Sequence, residues 1–292
     1  MKIAFLGLGL IGGSVARALR ASPAYAGAVL AAWTPTGDGP RRALAAGVLD
    51  EAPADPLDAV RGADLVILAA PPLACAGLVR RLGIGGDLHG ALKGDATVTD
   101  VASAKAELVA AATEAGVPFA GGHPMAGRET SGFDAADPGL FRDRPWVVTP
   151  GINGGDVAAV RTLAVACGAH PVELAADLHD RLVAAISHVP LLVSAALVEA
   201  VAGGADAPDA DWPAARALAA GGWRDTTRLA RGDALMGAEI LASNAEAVAV
   251  VVHRYRDRID EWLTLLEAPE GPDADALRAR LAAANARLEE PA

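Results

Sequence analysis

Short apolar runs alternate with amphipathic ones through the first half of the chain. Residues 2–6 (KIAFL) open it as a strand, and a glycine-rich turn leads into a helix over 12–20. Residues 28–33 predict the next strand, and 41–46 a short helix stopped by Gly47. DLVILA, residues 64–69, is apolar without alternation, as a strand covered on both faces requires. Residues 96–100 form another strand, followed by a helix over 104–115 that ends at Gly116, and strands at 117–120 and 146–149 complete the set. Strands separated by helices of this length imply βαβ units, hence an α/β fold with a parallel sheet.

The period changes after Gly168. Apolar positions at helical spacing predict helices over 177–201, 213–220, 234–266 and 273–289, with the Gly- and Pro-rich stretch 203–213 as a connector. Two domains follow: residues 1–168, carrying the sheet, and residues 169–292, all helical. Long Ala-rich helices in so small a domain need a partner for their apolar stripes, which predicts a homodimer through the helical half. The longest uncharged stretch, residues 182–198, falls short of the roughly 20 residues that cross a bilayer, so it reads as a buried core helix.

Of the 292 residues, 52% are hydrophobic and 21% charged, ample for a packed core, and the formal net charge is −11. That balance argues against nucleic acid or an anionic membrane as partner. An anionic substrate must then meet a local cluster of cations. The start of the chain lacks the basic, apolar and small-residue order of a signal peptide, and Cys75 and Cys167 match no metal or redox spacing. The expected setting is a reducing cytoplasm, with both cysteines as small buried hydrophobes.

Gly7, Gly9 and Gly12 form a GxGxxG directly after a strand and at the head of a helix. The first glycine permits the tight turn, the second the approach of a pyrophosphate, and the third close helix–strand packing. With Leu10 and Ile11 they predict a Rossmann-type dinucleotide site at the helix N-terminus. The second strand ends Trp33-Thr34-Pro35-Thr36, without the acid that usually holds the ribose hydroxyls of NAD. Thr34 and Arg41 offer a seat for a 2′-phosphate instead, which leans the choice between NAD and NADP toward NADP; alternatively, Arg41 and Arg42 simply open a solvated helix.

Three polar segments interrupt the apolar sequence. Asp100-Val101-Ala102-Ser103-Ala104-Lys105 follows a strand, where open parallel sheets bind ligands. Gly121-Gly122-His123-Pro124-Met125-Ala126-Gly127 follows another, and His179-Asp180 and Ser187-His188 fall in the first long helix. Nine positions separate His179 from His188, about two and a half turns, so a regular helix puts them on different faces.

With GLGLIGGS, TDVASAK, GGHPMAGRETSG, HDRLVAAISHVP and GGWRDTTRLARGD in this order, the chain resembles the prephenate and arogenate dehydrogenases nearly end to end. The resemblance implies oxidative decarboxylation of a cyclohexadienol in tyrosine biosynthesis, with a nicotinamide cofactor and no metal. It implies that His123 is the catalytic histidine, that Ser103 orients it and the ring hydroxyl, and that Arg228 grips a substrate carboxylate. Ser187 and His188 would line the substrate pocket, with Glu129 near its mouth. Read as structure alone, Ser103 is a helix cap, His188 a satisfied core histidine, Arg228 the partner of Asp225, and His179-Asp180 a helix-start device. Many relatives carry a histidine where this chain has Leu191, and a tryptophan where it has Gly237. The competing enzyme class, hydroxyacid and imine reductases, usually relies on a lysine in the helical half, yet Lys2, Lys93 and Lys105 all lie in the first half. A non-catalytic dinucleotide sensor would need no general base.

Overall fold

The computed structural model describes residues 1–128, 130–151, 153–204 and 207–290. Its first layer is a parallel sheet in the order β2-β1-β3-β4, built from β1 (Lys2–Leu6), β2 (Val29–Trp33), β3 (Leu65–Leu68) and β4 (Thr97–Asp100). Each β1 residue pairs in register, Ile3 with both Leu30 and Leu65, which places the ends of β1 and β3 side by side. Leu65 to Leu68 are all buried, as the unalternating run predicts. Around the sheet lie α1 (Leu10–Ala21), α2 (Asp38–Ala45), α3 (Pro56–Val60), α4 (Pro72–Leu82) and α5 (Ala106–Ala115). They divide the core between the two faces: Ile3, Phe5 and Ile67 pack in one cluster, and Ala4, Leu6 and Leu68 in the other.

Residues 117–120 form no full strand, contributing one bridge from Phe119 to Val98. The strand comes just afterwards: β5 (Gly121–Pro124) runs antiparallel to β6 (Pro145–Thr149), which pairs in parallel with β7 (His170–Glu173) after α6 (Val157–Ala166). His123, expected in a turn after a strand, therefore sits on one, opposite Val147. The sheet region extends through β7, beyond residue 168.

The helices also break where the sequence reads as continuous. The expected helix 177–201 is α7 (Ala176–Val183), a π-helical turn over Ala184–His188, and α8 (Val189–Ala202). Ala176–Ala202 is one helical run long and apolar enough to cross a membrane, and only 28% of its most apolar stretch is buried, so it is not the buried core helix expected. A short pairing of Gly203–Gly204 with Ala207–Pro208 leads to α9 (Trp212–Leu218), α10 (Gly221–Thr226) and α11 (Ala234–Ser243). Asn244 interrupts the expected helix 234–266 before α12 (Ala245–Leu266), and α13 (Ala274–Leu288) follows. Two compact units result, Met1–Ala245 and Glu246–Ala292. In the second, Arg280 joins α13 to α12 through Glu261 at 2.9 Å and the Trp262 ring.

Candidate active site

The glycine motif forms the turn from β1 into α1. Gly7 has a φ of 103°, and a Cβ there would lie 2.3 Å from the Ala69 carbonyl oxygen, so no side chain fits. A Cβ on Gly12 would stand 2.7 Å from that of Ala69, and its absence lets α1 settle against the loop after β3. Gly9 differs, because the space above it is open to 4 Å. No side chain caps α1, so its first N–H groups and the positive end of its dipole meet that open space. A dinucleotide pyrophosphate fits such a seat.

A cavity of about 500 Å³ opens there. Gly9, Leu10 and Ile11 line it together with Ser103 after β4, residues 126–128 after β5, and Leu191 and Gly237 from the helical half. Glu239 of α11 accepts a hydrogen bond from the Leu73 N–H at the head of α4, 3.0 Å away, which ties the two walls together. A Cβ on Gly237 would lie 3.6 Å from Leu191, so these two positions share one patch of wall. The segment after β5 folds back over α1: the Asp137 N–H donates to Ser14 at 2.9 Å, and Arg17 lies over Phe133.

Among the described residues, Ser103 does not cap α5. That helix starts at Ala106, and its first N–H groups donate to Asp180 of α7: Lys105 N–H to Oδ1 and Ala106 N–H to Oδ2, both at 2.8 Å. Asp180 also lies 2.7 Å from Nδ1 of His179, whose Nε2 lies 2.8 Å from Nδ1 of His123. The chain of contacts fixes the tautomers. An ionised carboxylate only accepts, so His179 Nδ1 carries hydrogen, and in the neutral ring its Nε2 is bare. His123 Nδ1 must then donate, which leaves His123 Nε2 with a free lone pair. Burial holds the His123 pKa well below 6.5, and His179, Lys105 and His188 push it the same way, so the ring is neutral.

His188 presents the complementary face. The Asn244 amide donates to the Asp180 carbonyl at 2.8 Å and to His188 Nδ1 at 3.2 Å. That leaves the proton of His188 on Nε2, which is buried without a hydrogen-bond partner among the described residues. Burial lowers the His188 pKa to about 4, with Asp180 opposing and His179 adding to the effect. His179 and His188 thus converge on Asp180 and Asn244, although a regular helix would separate them. The π turn between them rotates less per residue and brings His188 round.

The remaining candidates are more open. Ser187 and Arg228 are exposed, and Arg228 stands four residues before the cavity residue Gly232. Glu129 lies outside the described residues. Past β2, Thr34 Oγ1 accepts from the Gly37 N–H at 3.1 Å, while Arg41 pairs with Asp38 and donates to the Thr36 carbonyl at 3.2 Å. Arg42 pairs with Asp134. Both cysteines are buried and free, their thiols pushed up to about 12 chiefly by burial. His179 and Asp180, which the sequence marks as a polar segment readable as a helix-start device, carry the relay instead, and Asn244 is the site residue with no visible signal in the sequence.

A glycine turn opening on a cavity at the end of a parallel sheet, in a chain that also holds a neutral buried histidine on β5, defines a dinucleotide-dependent dehydrogenase of the Rossmann class. Residues 16–189 match the prephenate dehydrogenase nucleotide-binding domain, and residues 175–283 the prephenate dehydrogenase dimerization domain. The prephenate dehydrogenase of Bacillus subtilis (strain 168) is 32% identical over 89% of this chain and 67% of its own length. The cyclohexadienyl dehydrogenase of Zymomonas mobilis is 31% identical over 92% of this chain and 89% of its own. Among solved structures, Synechocystis arogenate dehydrogenase superposes with a TM-score of 0.77 at 31% identity, covering 99% of this chain and 100% of that one. The chain belongs to the prephenate dehydrogenase family. It is an NAD(P)-dependent oxidoreductase of tyrosine biosynthesis.

Proposed function

We propose that the substrate is a cyclohexadienol bearing a ring carboxylate, prephenate or arogenate, and that His123 is the base in its oxidative decarboxylation. The observation that carries this reading is the Asp180–His179–His123 chain, which leaves a bare Nε2 on a neutral imidazole. His123 takes the proton of the ring hydroxyl as hydride departs, and Ser103, on the cavity wall, orients that hydroxyl. Loss of carbon dioxide returns its electron pair to the ring, and aromatisation drives the reaction. The nicotinamide, when bound, accepts the hydride. Arg228 anchors a substrate carboxylate, as a planar bidentate donor suits, and the His188 Nε2–H supplies a further donor. Ser187 and Glu129 complete the substrate contacts.

Gly7, Gly9, Leu10, Ile11 and Gly12 hold the pyrophosphate, and the end of β2 favours NADP, with Thr34 and Arg41 on the 2′-phosphate. The sheet domain, expected over 1–168 and extended by β7, is assigned to cofactor, and the helical domain, expected over 169–292, to substrate and dimer. Leu178, Leu182 and Ile186 are 39%, 45% and 69% exposed and recur every fourth residue, a stripe that a second copy would cover in a cytoplasmic homodimer. One assay tests the function: purified protein is given prephenate or arogenate with NAD or NADP, and reduced cofactor is followed. Turnover of one cyclohexadienol is expected, faster with NADP. Reduction of neither cofactor with either substrate would refute the reading.

A further inference from the structure

Beneath His123 lies a second buried network, which the reaction does not use directly. Lys105 and Asp100 form an ion pair in which both side chains are fully buried. Asp100 Oδ1 accepts from the Gly122 N–H at 3.0 Å, and Oδ2 accepts from the Ala102 N–H at 2.9 Å as well as from the Lys105 ammonium. β5 is seated on this pair. A Cβ on Gly121 would lie 3.1 Å from the Lys105 side chain, and one on Gly122 would lie 2.6 Å from the Asp100 carbonyl oxygen. The two glycines before His123 are therefore the contact through which the pair holds the strand.

The links close on themselves. Asp180 bonds His179, His179 bonds His123, and the peptide continues to Gly122. Gly122 bonds Asp100, Asp100 bonds Lys105, and the Lys105 N–H returns to Asp180. Lys105 occupies both halves of the loop, by its ammonium on one side and its backbone on the other. We propose that Lys105 is a positioning residue for His123, fixing its strand through Asp100 and its ring through Asp180. This role rests on His123 being the base, as argued above.

The groups facing His123 are His179 and Asp180 of α7, His188 of the π turn, Asp100 of β4 and Lys105 at the head of α5. Among them Lys105 contributes a fixed positive charge, which disfavours the imidazolium. Removing that charge should raise the pH at which His123 titrates.

The test uses Lys105→Met and the double variant Lys105→Met/Asp100→Asn, in which both charges leave together and the amide oxygen still accepts from Gly122. Melting temperature, cofactor Kd and kcat are measured beside a nitrogen-15 NMR titration of the histidine rings. In Lys105→Met we expect the His123 titration to rise by about one pH unit, and in the double variant by less, because loss of the Asp100 charge acts in the opposite sense. We also expect kcat to fall at least ~10-fold as the base loses its alignment, with cofactor Kd unchanged. A folded variant with an unaltered His123 titration and unaltered kcat, differing only in melting temperature, would reduce Lys105 to a structural ion pair. If Lys105→Met does not fold, the double variant decides, and its failure to fold would overturn the assignment too. His123→Gln separates this claim from the one it rests on. Normal turnover there would remove His123 as base, whereas the NMR shift reports the Lys105 linkage without reference to turnover.

Discussion

Charged side chains surround two parts of this site, and they are held in opposite ways. Around His123, Lys105 and Asp100 are fully buried, His179 likewise, and each is bonded from more than one direction. Past β2, Arg41, Asp38, Arg42 and Asp134 are all more than half exposed and pair with a near neighbour or across the surface. Buried networks are expensive to disturb, because a group that loses its partner has no water to turn to. Exposed pairs are worth about 0–1 kcal/mol and rearrange freely. The proposed base is thus held in a rigid buried network, and the proposed 2′-phosphate seat in exposed pairs that rearrange freely.

The sharpest way to break the comparison is Asp180→Asn. With the new NH2 group at the Oδ1 position, the amide donates to His179 Nδ1 and the Lys105 N–H loses its acceptor, while the oxygen at the Oδ2 position still accepts from the Ala106 N–H. The proton of His179 moves to Nε2, His123 must accept there, and its own Nε2 becomes protonated. Turnover should fall at least ~100-fold with the fold intact, the usual scale of a lost general base. Near-normal kcat would show that the relay does not set the tautomer.

A smaller effect concerns acid. His188 has a folded pKa of about 4, below its ordinary 6.5, so the unfolded chain binds the extra proton. The stability from its neutral form is fully present above pH 6.5 and is lost as pH falls toward 4. By pH 5 the loss amounts to about 2 kcal/mol from this residue. Melting temperature against pH should flatten over that window in His188→Asn, and an equally steep curve would assign the acid sensitivity elsewhere.

How much of this was legible in sequence follows the same division. The glycine turn and the strands β1 to β4 announce themselves because their physics is local: a positive φ, a helix N-terminus, a run of β-branched residues. α4, α6 and β7 were missed, since Ala-rich and Pro-bearing segments carry weak periodicity. The members of the relay stand out as polar segments, but their pairing left no local mark. His179 meets His123 from 56 positions away, and Lys105 meets Asp180 from 75, distances that only tertiary packing spans. The π turn was likewise invisible, because Ala-Ala-Ile-Ser-His fits a regular helix equally well.

The exposed region should respond least. Arg41→Ala removes one surface cation and one pairing with Asp38, and the ratio of kcat/KM for NADP over NAD should fall about 5-fold, equal to about 1 kcal/mol. An unchanged ratio would place cofactor choice elsewhere along the loop after β2.

The central claim is that a neutral His123 is the base, and a single variant tests it most directly. His123→Asn keeps a hydrogen-bonding side chain on β5 but has no basic nitrogen. Turnover of the cyclohexadienol should drop at least ~100-fold while cofactor Kd and melting temperature stay near those of the parent protein. A near-parental kcat in that variant would contradict the account.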